Sequence, residues 1–472
     1  MPLAGCLINL RNKVAPIMNQ DAILFIDVDD SASVRYHYRE PHFAVARARG
    51  LRCLTAGVAG RRHLQRLLDD SDEVFLLDAL SELSILELVG ELDGRYRILA
   101  IFCQAGHPSA QGEVGRIVAQ ACRRLGLVHS QPDAISACNN KFLMRRMLKK
   151  QGLRSVPFAL CQDERELREG AERVGYPLIA KPPFGGASAF IRKCSNWTEL
   201  QDHYRHFVEQ HGAAAYADFY GCAHALPEED GQRHEYHPGR SVLLEGYIPG
   251  IEGSVECVML GERAHAVLIN EKLLLTERSG TVLENLLISP PTSFTQAQCE
   301  QIRAYAVDCL KVVGLTNAVV HFEFRMTAEG PVVIEINPRV GGLYVSAAFR
   351  DLAAINPFEL YLSLLLGDQT LDAKLEAGAR KVLEARQHYA MLAIYPQHSG
   401  QFRGIEGSAY LDRHPSVLEY AQQDPGNTID ADIEEHYLLK CWAQVDDAAH
   451  AYALHEALVH NLRVIIDRPA EG

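Results

Sequence analysis

Asn317-Ala318-Val319-Val320-His321-Phe322-Glu323-Phe324-Arg325 runs into Thr327-Ala328-Glu329-Gly330 and then Pro331-Val332-Val333-Ile334-Glu335-Ile336-Asn337-Pro338-Arg339, which reads as two strands and a polar turn. Period-two alternation puts Glu323 and Arg325 on the face opposite Phe322 and Phe324, and Glu335 and Asn337 opposite Ile334 and Ile336. A hairpin centred on Glu329 sets Glu323 directly across from Glu335, and two facing carboxylates repel unless a cation lies between them. Oxygens from Glu323, Glu335 and Asn337 together suit Mg²⁺, which takes hard oxygen ligands shared between protein and phosphate. A solvated strand face would carry the same pattern, so the rest of the chain has to supply the other parts of a site.

Upstream, Asn139-Asn140 can cap a helix running to about Gln151, which places Lys141 near its start. A strand from Tyr176 ends at Lys181 and enters Pro182-Pro183-Phe184-Gly185-Gly186-Ala187-Ser188. Lys141 and Lys181 offer cations for phosphates, Gly185 and Gly186 leave room for close backbone approach, and Ser188 can donate from the same turn. Leu243-Leu244-Glu245 ends another apolar strand with a carboxylate able to accept from an adenine amino group, and Glu252 lies seven residues later, in reach of a ribose hydroxyl.

Outward from this centre, strands at Ala22-Val28, Leu51-Gly57, Glu73-Leu77 and Arg97-Cys103 alternate with amphipathic stretches, the pattern of a parallel α/β unit. Its first strand ends in Asp27-Val28-Asp29-Asp30 and not in a dinucleotide-binding glycine turn. Residues 205–240 are polar and rich in histidine and read as a loop insertion; His224, His234 and His237 are spaced irregularly, as in a solvated segment. Beyond about residue 376 the composition changes to a charged helix, a strand at His388-Tyr395 and a late helix. Boundaries follow at 1–137, 138–375 with a lid at about 172–248, and 376–472.

Sixty acidic against 47 basic side chains leave a net charge of −13, which disfavours a sequence-independent nucleic-acid binder. The twelve cysteines are scattered singly, as expected of free thiols in a reducing cytoplasm, and no apolar stretch approaches the roughly 20 residues that span a bilayer. His455 and His460 are five residues apart, about 140° around a helix, so they do not form a zinc pair. The chain has no Gly-Lys dipeptide for a Walker phosphate loop and no Gly-x-Ser-x-Gly nucleophile elbow.

Four pieces in register, Asn140-Lys141-Phe142-Leu143-Met144-Arg145, Ala180-Lys181-Pro182, Leu244-Glu245-Gly246-Tyr247-Ile248 and Ile334-Glu335-Ile336-Asn337-Pro338-Arg339-Val340-Gly341-Gly342, resemble the ATP-grasp superfamily. Within it, the chain looks most like the bacterial L-amino acid ligases and carnosine synthase-like enzymes, over nearly its whole length. The resemblance implies an α/β ATP-grasp fold with an N-terminal parallel α/β domain, a small lid and an extra C-terminal α+β domain. It assigns Lys141 and Lys181 to ATP phosphates, Glu245 and the backbone of Ile248 to adenine and Glu252 to ribose. Glu323, Glu335 and Asn337 would hold Mg²⁺, with Mn²⁺ as a substitute, and Arg339, with Gly341 and Gly342, would meet the reacting carboxylate. The related ligases carry a lysine and then Glu-x-x-His before Ile-x-Pro; Lys272 and Glu284-Asn285-Leu286-Leu287-Ile288-Ser289-Pro290 fit this, with Leu287 in place of the histidine. Glu284 would then hold a substrate ammonium, beside an apolar wall at Leu287.

The implied reaction is an ATP-dependent ligation of two L-amino acids through an acyl phosphate. The alternatives are a biotin carboxylase-like enzyme and a nucleotide-binding regulator without turnover. Expected partners are small-molecule amino acids, with neither nucleic acid nor membrane, and a homodimer is the superfamily expectation.

Overall fold

Alternation along the first strands decides how the N-terminal unit is layered. In the computed structural model, described over residues 8–9, 19–28, 39–58, 70–103, 108–109, 112–185, 188–213, 220–221, 224–227, 233–278, 281–431 and 435–467, the strands are β1 Gln20–Ile26, β2 Arg52–Val58, β3 Glu73–Leu77 and β4 Tyr96–Cys103. They pair in parallel in the order β3-β2-β1-β4, with the two-residue segment Ile8–Asn9 antiparallel on the outer edge. Ala22, Leu24 and Ile26 pack beneath helices Glu82–Leu92 and Val114–Leu125, while Ile23 and Phe25 face Arg39–Ala48 and Pro357–Leu365. Both faces are covered, which is why these strands are almost continuously apolar.

The segment expected to form a lid, about 172–248, contributes three strands of a four-stranded sheet and is joined there by an earlier one: β5 Phe158–Cys161, β6 Leu178–Lys181, β7 Arg192–Cys194 and β8 Val242–Gly246, in the order β7-β6-β8-β5. Helices Glu164–Val174 and Trp197–Gln210 pack on it through Leu167, Ala171, Leu200 and Phe207. The expected loop at 205–240 is partly ordered otherwise: the second of these helices extends into it, and His224–Pro227 pairs with Arg233–Tyr236 as a hairpin.

The largest sheet has eight antiparallel strands: β9 Ile251–Leu260, β10 Arg263–Glu277, β11 Val282–Ser289, β12 Ala318–Thr327, β13 Gly330–Asn337, β14 His388–Ile394, β15 Val417–Gln422 and β16 Leu439–Val445. Their order is β13-β12-β9-β10-β11-β14-β16-β15. β14 to β16 lie beyond residue 376, so the compositional break does not interrupt the sheet. Helices α1 Lys141–Lys150 and α2 Gln296–Val313 cover one face of the first strands with Met144, Leu148, Ile302, Ala306 and Leu310. The Asn140 side chain accepts from the backbone N–H groups of Phe142 and Leu143, fixing the start of α1. No helix among the described residues is long and apolar enough to cross a membrane. The ten described cysteines are free thiols, nine of them buried.

Candidate active site

The β12–β13 hairpin places its acids as the alternation requires, by a route the sequence does not reveal. Thr327 pairs with Gly330, so the turn is only Ala328 and Glu329, and a bulge beside Glu323 brings Glu323 opposite Glu335. The bulge also corrects the expected position of Ile334. Instead of joining Ile336 in the core, Ile334 is half-buried and lines the same cavity as Glu335, because the extra residue shifts the side-chain phase.

Asn337 Nδ2 donates to Glu335 Oε1 at 2.8 Å and to Glu323 Oε1 at 3.3 Å, so the three side chains converge. An amide's orientation follows its hydrogen-bonding partners, and turned over, the Asn337 oxygen would join the two carboxylates as a third hard donor. This set fits a divalent cation. Two lysines neutralise the acids here: Lys141 Nζ lies 2.9 Å from Glu335 Oε2, and Lys272 Nζ lies 2.7 Å from Glu323 Oε2.

Lys272 Nζ also contacts Glu252 Oε1 at 2.8 Å and Glu284 Oε1 at 2.5 Å, with its side chain only 1% exposed. Oxygens of Glu252, Glu284 and Glu323 lie within 4.8 Å of one another, and the ammonium among them is what makes that crowding tolerable. Burial pulls Lys272 down, but the three acids outweigh it and hold the amine well above the usual lysine value. It therefore acts as a fixed charge and not as a base. Arg325 neutralises the other oxygen of Glu252 at 2.8 Å and donates to the Ile248 carbonyl at 2.9 Å.

Behind this group, His321 Nδ1 lies 2.7 Å from Glu256 Oε1, which also accepts from Ser254 and Asn270 at 3.0 and 3.1 Å. Burial opposes a charged imidazole, yet Glu256 and Glu323 lift His321 to about 10, so it remains cationic at neutral pH. Gly341 packs against it: a Cβ there would lie 2.7 Å from His321 Nδ1 and 2.8 Å from Val345 Cγ2. Gly341 thus backs the site, whereas Gly342, Arg339 and Leu287 line the cavity itself. Arg339 donates to the carbonyl of Val340 at 3.0 Å.

At the lid end, Lys181 Nζ meets Glu245 Oε2 at 2.8 Å, and Arg145 forks onto both oxygens at 2.7 and 3.2 Å with no exposure of its own. The Glu245 carboxylate, expected to await an adenine amino group, is thus already engaged by two cations. Burial alone would raise its pKa, but Arg145 and then Lys181 prevail and lower it to about 2. A carboxylate depressed in the folded state stabilises above its ordinary value of 4.5 and loses that contribution as pH falls toward 2. The stability gap between wild type and Glu245→Gln, measured by denaturant titration at several pH values, is therefore expected to be widest above pH 4.5 and to close toward pH 2. A gap constant over that window would contradict the pairing.

Lys141, Lys181, Gly185, Ser188, Ile248 and Glu252 line this cavity together with Glu245, Glu284 and Lys272. Lys141 Nζ also approaches the Gly185 carbonyl at 3.4 Å, tying α1 to the lid turn. Gly185 has φ 144 and Ser188 φ 51, a strained path that the glycine eases. Gly186 lies outside the described residues.

Sequence reasoning missed several contributors. Arg145 was legible, since it follows Lys141 by one helical turn on the same face. His321 shares a strand face with Glu323 and Arg325. Arg192, Lys193 and Tyr247 add a basic and aromatic wall, with Lys193 Nζ 4.0 Å from the Tyr247 ring centre. Glu435 and Tyr437, from the last part of the chain, line the far end, and no local signal marks them.

The family description "ATP-grasp domain" matches residues 174–347. Human carnosine synthase 1 is 24% identical over 254 residues, covering 51% of this chain and 28% of that protein. The chain spans less than half the length of the curated relatives it first matches. Among solved structures, the L-amino acid ligase of Bacillus licheniformis superposes with a TM-score of 0.72 at 18% identity, over 95% of this chain and 99% of that one. The biotin carboxylase domain of the Hydrogenobacter thermophilus 2-oxoglutarate carboxylase gives 0.64 at 15% identity, over 96% and 92%. At such identities the structural likeness establishes the fold.

Proposed function

We propose that this chain, with its ATP-grasp domain match over residues 174–347 and its likeness in fold to an L-amino acid ligase, is an ATP-dependent carboxylate–amine ligase that joins two L-amino acids into a dipeptide. The observation that carries this reading is one cavity lined both by Lys141, Lys181 and Arg339, which suit phosphate and carboxylate, and by Glu284 and Glu435, which suit an amine. The kinship with carnosine synthase 1 and the fold of the L-amino acid ligase support it. The carboxylase likeness is one of fold, and a bicarbonate substrate brings no amine for Glu284 to meet.

In this reading a carboxylate oxygen of the first amino acid attacks the γ-phosphorus of ATP. The bond to the bridging oxygen breaks, giving an acyl phosphate and ADP. The amine of the second amino acid then adds to the acyl carbon, loses its proton, and expels phosphate as the amide forms. Glu323, Glu335 and Asn337 would hold Mg²⁺, which when bound supplies charge neutralisation for the phosphates. Lys141, Lys181 and Arg339 align and neutralise the reacting anions, which is most of what phosphoryl transfer asks of a protein. Glu284 orients the first amino acid by its ammonium, so that only its carboxylate reaches the γ-phosphate. Free thiols in every described cysteine suit a reducing cytoplasm.

Screening pairs of amino acids for ADP and phosphate release, with mass spectrometry of the product, tests the proposal directly. Glu284→Ala should cost roughly 10²-fold in kcat/KM, because the substrate ammonium is left unpaired in a closed site. Deaminated carboxylic acids should be poor substrates for the wild type. Equal use of the deaminated acids, or an unaffected variant, would defeat the dipeptide reading.

A further inference from the structure

The ladder between β11 and β14 ends at Leu286 opposite Leu392. Two residues on, at Glu284, β11 still pairs with Leu275 of β10, but on the side of β14 side chains take over the backbone contacts. The Glu284 N–H donates to Glu435 Oε1 at 3.1 Å and lies 3.2 Å from the Tyr395 hydroxyl, which is itself 3.1 Å from the Glu284 carbonyl. A phenol has one proton, and here the carboxylate of Glu435 is its nearest acceptor. Tyr437 donates to the other oxygen, Glu435 Oε2, at 2.9 Å. Glu435 is 5% exposed and makes no ion pair among the described residues, so three neutral donors hold it in place.

We propose that Glu435, braced by Tyr395 and Tyr437, is a positioning and specificity-determining residue: it fixes the Glu284 peptide so that the Glu284 carboxylate meets the ammonium of the carboxyl-donating amino acid. This rests on the ligase reading and extends it, because it gives the C-terminal segment a part in substrate choice. The physical argument is one of orientation. A strand held on one side only has a looser free edge, and misplacement of a carboxylate by an ångström is costly where a charge pair sets the alignment. The Glu284 N–H is instead held by Glu435, which belongs to one buried cluster with Tyr395 and Tyr437.

The test is steady-state kinetics of the full-length enzyme on the best amino acid pair, varying each substrate in turn. Glu435→Ala is expected to raise KM for the carboxyl-donating amino acid about 10-fold, with KM for ATP changed less than about twofold. Tyr395→Phe, which removes one hydroxyl and keeps the ring, should show the same split at about threefold. Glu435→Gln retains an oxygen for the Glu284 N–H and should recover most of the loss. If Glu435→Ala alters no amino acid KM, or raises all KM values in equal proportion, the proposal is overturned; should that variant not fold, Tyr395→Phe decides on the same criterion. Absence of ADP release by the wild type with every amino acid pair would instead reject the ligase reading itself, and this inference with it.

Discussion

Lys272→Met is expected to lower the stability of the protein by about 3–5 kcal/mol, the usual consequence of removing one partner from a buried ionic group. Methionine has nearly the same length and fills the same space, so the loss is electrostatic. Without the ammonium, Glu252 keeps Arg325 and Glu323 keeps His321, but Glu284 is left with two acidic neighbours. Burial already pushes Glu284 above the ordinary carboxylate range and Glu435 and Glu323 push further, against the pull of Lys272. The variant should also show a second signature. Three carboxylate oxygens within 4.8 Å, no longer bridged by an amine, form a site for a hard divalent ion. Denaturant midpoints measured with and without Ca²⁺ should thus show the ion stabilising the variant more than the wild type. A midpoint equal to that of the wild type, or equal responses to Ca²⁺, would mean that the charges are not organised around Lys272.

Glu335→Gln should reduce kcat by on the order of 10²–10³, as does loss of a preorganised charge at a reacting phosphate. The substitution keeps volume and one acceptor oxygen for Asn337 but removes the negative charge that faces Lys141 and, when bound, the metal. These two roles can be separated. If the metal role dominates, the Mg²⁺ concentration for half-maximal rate rises about tenfold or more and high Mg²⁺ restores part of the rate. Lys141→Met should instead raise KM for ATP without shifting the Mg²⁺ requirement. Near-normal turnover of Glu335→Gln at unchanged Mg²⁺ would remove Glu335 from the ligand set.

What the sequence yields about this site follows how far each signal reaches. Strand alternation is local, so residue order alone puts Glu323, Glu335 and Asn337 on one face. It fails at Ile334, because a bulge is one inserted residue with no compositional mark in this hairpin. The cap at Asn140 and the glycine after β6 are likewise local, and they locate Lys141 and Lys181. The partners of these residues are not local. Glu245 looks like an open acceptor in the sequence because Arg145, 100 residues away in the chain, is brought to it only by the packing of α1 against the lid. Glu435 meets Glu284 across 151 residues through a strand order that no periodicity encodes. Charges can be counted from the sequence, but which charge cancels which is a property of the tertiary structure.

The eight-stranded sheet bears on how such a chain can be recombined. β11, which presents Glu284, is held on one side by β10 and on the other by β14, a strand from beyond the compositional boundary at 376. A graft that exchanged everything after that boundary for the corresponding part of a distant relative would have to supply a new neighbour in register with Leu286, Leu287 and Ile288. It would otherwise leave their backbone groups as an open, apolar edge prone to pairing between molecules. The last hundred residues are therefore not an interchangeable cassette. Libraries that reshape substrate choice by shuffling should place their crossovers in the lid or in the N-terminal unit, where separate sheets end, and alter the far end of the cavity by point substitution.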